Sequence, residues 1–140
     1  KSTGLDATGL QAPGSLFEMN YITDEWLELT GSNFRDADLS GSRFVMVWFQ
    51  DMDLRGANLS QSVLDECFFH GCDFTGADLR GIDFSTSNIK EITITDALID
   101  DGTIWPEFTE RVADEKTGEV RMILDKEAWM EAHPELLEEQ

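Results

Sequence analysis

Large apolar residues recur at every fifth position along the middle of the chain: Phe34, Leu39, Phe44, Phe49, Leu54, Leu59, Leu64, Phe69, Phe74, Leu79, Phe84, Ile89, Ile94 and Ile99. All fourteen are Leu, Phe or Ile, a run with chance odds on the order of one in a billion, so internal repetition is the default reading. A helix repeats every 3.6 residues and a strand every two, and neither alone gives a steady five. Two residues before each central position runs a second column, from Ser32 to Ala97, that is small or apolar throughout. Residues two apart on a strand face the same way, so each quintet turns two side chains inward with one outward between them. The next two positions are mostly polar or glycine, as in Arg55-Gly56, Thr75-Gly76 and Arg80-Gly81. Two consecutive outward residues break the alternation, so the chain must bend after each short extended side. Bending repeatedly in one sense makes a coil, and a stack of coils buries a column of Leu and Phe while backbone groups pair between turns.

The quintets "ADLSG", "ANLSQ", "CDFTG" and "ADLRG" resemble the A(D/N)LXX repeat of the pentapeptide-repeat family, over residues 32 to 101. The resemblance implies an all-β fold, a right-handed quadrilateral β-helix with four quintets per turn and the central residue pointing at the axis. Fourteen quintets then give about 3.5 coils, a stub ~17 Å long at about 4.8 Å between stacked strands. Val47, Met52, Ile82 and Ile92 replace the small residue of the second column, which predicts local distortion of the coil.

Both ends of an open solenoid need a cover. The expected division is therefore an N-terminal extension and cap over 1–31, the β-helix over 32–101, and an acidic C-terminal extension over 102–140. In the first, Leu16, Phe17, Tyr21, Ile22, Trp26 and Leu27 supply the cap, with a short helix after Thr23. In the last, "EFTERVADEKTGEVRMIL" reads as a hairpin with Gly118 in a left-handed position, and Asp125 caps a helix that breaks near His133 because Pro134 follows. This tail is expected to fold over the last coil, with pairing to a second copy, a homodimer, as its other use.

Charge narrows the partners. The net charge is −19, and both nucleic acid and anionic membranes repel a polyanion, so neither direct nucleic-acid binding nor membrane insertion is expected. The natural complement is a protein, unidentified, with a basic surface. No apolar run approaches the roughly 18 residues of a membrane helix, so a soluble chain is expected, cytoplasmic in preference to lumenal or periplasmic. Opening at Lys1 rather than methionine is compatible with loss of a leading segment, so this end does not fix the compartment.

Candidate chemistry is sparse. Cys67, His70 and Cys72 lie close in sequence, but the repeat turns both cysteines inward and His70 outward, so no catalytic residue, metal site or cofactor is expected, although a single disulfide stays open. His133, beside Pro134, reads as a surface residue. Asp53 and Asp73 share one outward position twenty residues apart, Asp38 and Asp78 another at forty, and Asp83 a third, a candidate acidic ladder. Some pentapeptide-repeat proteins are thought to mimic DNA toward type II topoisomerases, and the ladder raises that alternative. The other reading is that each carboxylate satisfies backbone at its own corner. Trp48 and Phe68 stand where the repeat places Asp or Asn, and a twenty-residue turn stacks them; with Val63, Val45 and Met46 they form a candidate interaction surface. Cover by the tail, through Ile104, Trp105, Phe108, Trp129 or Met130, is the competing expectation. A non-enzymatic protein-binding module is the reading these features favour.

Overall fold

The computed structural model describes residues 5–18 and 27–137. Its strands are β1 (Leu16–Glu18), β2 (Leu27–Glu28), β3 (Arg43–Val45), β4 (Val47–Gln50), β5 (Val63–Asp65), β6 (Phe68–Asp73), β7 (Asn88–Thr93), β8 (Thr109–Ala113) and β9 (Val120–Leu124); helices α1 (Lys126–Ala132) and α2 (Pro134–Leu137) follow. Parallel pairing at a spacing of twenty residues defines a four-sided coil. The first side stacks Asn33 on Asp53 on Asp73, and the second Asp38 on Asn58 on Asp78 on Leu98. The third side pairs β3 with β5, and the fourth pairs β4 with β6 and β6 with β7.

The bend after each side has one conformation. The fifth residue of nearly every quintet has positive φ: Gly at 41, 56, 71, 76 and 81, but also Asp36, Met46, Asp51, Gln61 and Glu66, between +50° and +74°. Glycine relieves the strain of this region, and short polar residues tolerate it.

Every central residue from Phe34 to Ile94 is buried. The aromatic members stack along the axis: Phe17 on Phe44 at 4.9 Å, Phe49 on Phe69 at 4.4 Å, and Phe84 on Trp105 at 5.0 Å between ring centroids. Ile99 departs from the expected core. It is 49% exposed, because no further side stacks on it. The large second-column residues Val47, Met52, Ile82 and Ile92 are all buried, and the pairing shows a register irregularity at one place among them, between β6 and β7 beside Ile92. Interior hydroxyls are used between coils: Ser62 Oγ donates to the Leu39 carbonyl at 3.1 Å, and Ser87 Oγ accepts from the Cys67 N–H at 3.1 Å.

Coiling continues beyond Ser32 and Asp101 in both directions. Asp6 pairs with Asn33, Gln11 with Asp38 and β1 with β3, so residues 5–18 form three sides of an earlier turn centred on Ala7, Ala12 and Phe17. The offset there is 27 residues rather than twenty, and β2 restores twenty by pairing with β4. Leu16 and Phe17, expected in a cap, thus belong to the coil; Tyr21, Ile22, Thr23 and Trp26 lie outside the described residues. At the other end Ile104 pairs with Asp83, which places Trp105 over Phe84 in the central column.

The tail extends the fourth side. β8 and β9 form an antiparallel hairpin, with Gly118 at φ +78°, and β9 runs antiparallel to β7, pairing Ile92 with Met122. Met122 is buried, and Arg121 pairs with Glu91. The Asp125 carboxylate accepts from the Ala128 N–H to cap α1, which ends at His133 before Pro134. The edge of the last coil is closed on this side, while Leu98 and Ile99 on the second side stay exposed.

Candidate functional site

The fourth side is chemically unlike the first and second. Its outward column reads Glu28, Trp48, Phe68, Asn88, where the others carry Asp, Asn or Gln over most of their length. Trp48 and Phe68 are half-buried and pack at 4.8 Å between centroids with a 56° tilt; the indole N–H donates to Gln50 Oε1 at 2.7 Å. Val63 is exposed on the neighbouring third side, and Val45 and Met46 are half-buried at the corner between the two. The five apolar residues thus occupy one corner and its flanks.

The carboxylates do something else. Each accepts the N–H two residues on, an Asx turn that satisfies the corner: Asp38 from Ser40 at 3.0 Å, Asp53 from Arg55 at 3.2 Å, Asp73 from Thr75 at 2.9 Å, Asp78 from Arg80 at 3.2 Å and Asp83 from Ser85 at 2.8 Å. Asp53 and Asp78 are also gripped through two oxygens by Arg55 and Arg80, at 2.9 and 2.7 Å in both cases. Those guanidinium bonds hold both carboxyls below the usual range, as the Ser40 hydroxyl does for Asp38 and the Ser85 hydroxyl for Asp83. Asn33 and Asn58 make the same turns without charge. The column is a backbone device whose charge is interrupted by amides and offset by arginines.

The tail lies beside the fourth side rather than over the whole aromatic pair. A cavity of about 440 Å³ opens between them, lined by Phe68, Asn88 and Lys90 from the coil and by Glu107, Phe108, Trp129 and His133 from the tail. The His133 ring stacks on Trp129 at 4.5 Å between centroids, its Nδ1 lies 2.7 Å from the Trp129 carbonyl, and Phe108 meets its face edge-on at 6.0 Å. Of the residues expected to provide cover, Phe108 and Trp129 line this cavity, Trp105 is in the core and Ile104 is exposed. Sequence reasoning took His133 for a surface residue. Its half-buried place in the aromatic cluster follows from α1 and the 105–109 segment meeting in space, and the repeat carries no signal for that.

The sequence profile described as pentapeptide repeats matches residues 27–51 and 53–90, in eight copies. This chain belongs to the pentapeptide-repeat family. Among solved structures it is similar to a pentapeptide repeat protein from the thylakoid lumen of Arabidopsis thaliana, at 20% identity and a TM-score of 0.50, over 81% of this chain and 71% of that one. It is also similar to the pentapeptide repeat protein Rfr23 from the cyanobacterium Cyanothece 51142, at 19% identity and a TM-score of 0.32, over 74% and 89% of the two chains. Likeness at these identities bears on the fold alone. No curated protein sequence matches the chain.

In this pentapeptide-repeat protein the cysteines are core residues of the second column. Cys67 and Cys72 are buried free thiols, 3.3 and 3.2 Å from the carbonyl oxygens of Phe44 and Phe49, so the disulfide left open by the sequence is not formed. Burial pushes the Cys67 thiol up to about 11 and that of Cys72 to about 12, far from a reactive thiolate at neutral pH. His70 stands outward and half-buried, edge-on to Phe68 at 6.4 Å. Among the described residues no cluster of metal-ligating groups occurs, and no helix is long and apolar enough to cross a membrane.

Proposed function

We propose that this pentapeptide-repeat protein is a non-enzymatic binding module whose partner, a protein with a basic surface, docks on the corner carrying Val45, Met46, Trp48, Val63 and Phe68. The observation that carries this reading is the aromatic pair Trp48 and Phe68 on the fourth side, at the position that holds mostly Asp or Asn on the first and second sides. Aromatic residues are enriched at the centres of protein interfaces, where a few anchors contribute most of the affinity. The net charge of −19 supplies steering toward a basic partner, as a ring of exposed carboxylates around an apolar centre does at other interfaces. The test is a double variant, Trp48→Asp with Phe68→Asp, compared with wild type in quantitative pull-down, thermal unfolding and light scattering. Loss of a specific partner with the fold retained is expected. Retention of every partner together with unchanged stability and oligomeric state would discard this surface.

Regulation of a type II topoisomerase by DNA mimicry is the second reading of the acidic columns. The Asx turns and the Arg55 and Arg80 grips weigh against it, since both direct the carboxylates at the protein's own backbone and bases. A supercoiling assay at micromolar protein is expected to show no effect; inhibition or protection of the enzyme would reverse the order of the two readings.

A further inference from the structure

The cavity between the fourth side and the tail shares Phe68 with the docking corner and combines three features. Its walls are aromatic, from Phe68, Phe108, Trp129 and His133, and its volume of about 440 Å³ falls within the ~300–1,000 Å³ of small-molecule sites. It is also lined by Lys90. Of the five bases in residues 32–101, Arg35, Arg43, Arg55 and Arg80 each reach a carboxylate, at 3.9, 2.8, 2.7 and 2.7 Å, whereas Lys90 makes no ion pair with any described residue. Arg111, Lys116 and Lys126 in the tail likewise make no ion pair with a described residue, and Lys90 differs from them in lining the cavity. Third, Phe108 holds φ at +65°, a region that a bulky side chain enters only at a conformational cost. Its carbonyl accepts the Asp125 N–H at 2.6 Å and its ring meets His133, so the strained backbone keeps an aromatic wall in place.

We propose that this cavity binds a small aromatic carboxylate, with the flat apolar body against the aromatic walls and the carboxylate on the Lys90 ammonium. The Nδ1–H of His133 donates to the Trp129 carbonyl, which fixes the ring as a wall of the cavity and leaves the carboxylate to Lys90. Glu107 also lines the cavity and opposes an anion, so removing its charge strengthens binding. The site shares Phe68 with the docking corner but takes its charge and its other walls from Lys90, Phe108, Trp129 and His133, so retention of every partner in the Trp48→Asp/Phe68→Asp variant would leave it standing.

The test is titration of the full chain with 3-phenylpropionate and, separately, with 3-phenylpropylamine, which differs in the sign of its charge, following the Trp129 indole N–H by NMR. Saturable shifts with the acid and none with the amine are expected. Lys90→Gln should weaken the acid about tenfold, the share of one charge-assisted hydrogen bond, and Glu107→Gln should tighten it. Phe108→Gly removes one aromatic wall while relieving the positive φ, and affinity for the acid is expected to fall with the native chemical shifts of the coil retained. Absence of saturable shifts up to about 10 mM, equal binding of the amine, or unchanged affinity in Lys90→Gln would each overturn the proposal.

Discussion

The first two sides of the coil and the last two are built on one five-residue period but hold their corners differently. On the first and second sides an Asp or Asn precedes most central residues and takes the N–H two places on, and most of the pairing there is single bridges between tight turns, the ends of β6 and β7 at Asp73 and Thr93 apart. On the third and fourth sides that position holds Arg43, Val63, Trp48 or Phe68, none of which can accept in this way, and the backbone lengthens into strands that pair in ladders. The third side contains its own control: Val63 stands in β5, but Asp83, one turn later, makes an Asx turn with Ser85 and only a bridge to Val63. The residue before the central one therefore biases where the corner's N–H goes, and with it whether a side is a turn or a strand, although Asn88 opens β7 and Asp73 ends β6 while making its turn with Thr75.

What both kinds of side share is the core, and its loss should exceed any corner effect. Phe69→Ala removes a ring stacked on Phe49 at 4.4 Å and is expected to cost about 3–5 kcal/mol in urea unfolding. Acid should separate the sides next. Asp38, Asp53, Asp78 and Asp83 titrate lower when folded than in the unfolded chain, so their contribution is complete above an unfolded pKa of about 3.9 and is lost as pH falls through the folded values. Hydrogen exchange below about pH 4 should rise first on the first and second sides, and uniform opening of all four would contradict the distinction. Gly76→Ala tests the left-handed corner alone, since φ is +70° and nothing lies within 4 Å of an added Cβ; about 1–2 kcal/mol is expected from the conformation itself. Asp83→Val asks whether the turn can be turned into a strand: the melt should fall by about 1 kcal/mol or less for the lost hydrogen bond, with new protected amides pairing against Val63. The smallest effect expected is a gain. Met46→Gly, at φ +52°, should stabilise by up to about 1 kcal/mol in the same urea assay.

The central column from Phe34 to Ile94, the Gly118 hairpin, the Asp125 cap and the break before Pro134 were all legible, because each depends on residues close in sequence. The turn over residues 5–18 was not, although Gly9 and Gly14 mark its corners at the right spacing. There the central residues are Ala7 and Ala12 while Leu5 and Leu10 sit two places earlier, so the large-residue column is out of phase, and seven extra residues shift the count before Leu29. One extra residue before Ile104 hid Trp105 in the same way. At the candidate sites, the stacking of Trp48 on Phe68 followed from the period, and the Asx role of the carboxylates was one of two readings of it. The aromatic cavity was illegible, since it depends on where a hairpin swings a helix in space.

The 27-residue offset between β1 and β3, closed again to twenty by β2, has a consequence for engineering. Stacking registers the sides and is indifferent to how much chain leaves one vertex before the next begins. Foreign peptide segments grafted at the vertices after Val45 or Asp65, which correspond to the place where the native chain already carries its extra length, should be accepted with the neighbouring ladders intact, making this short spindle a display scaffold.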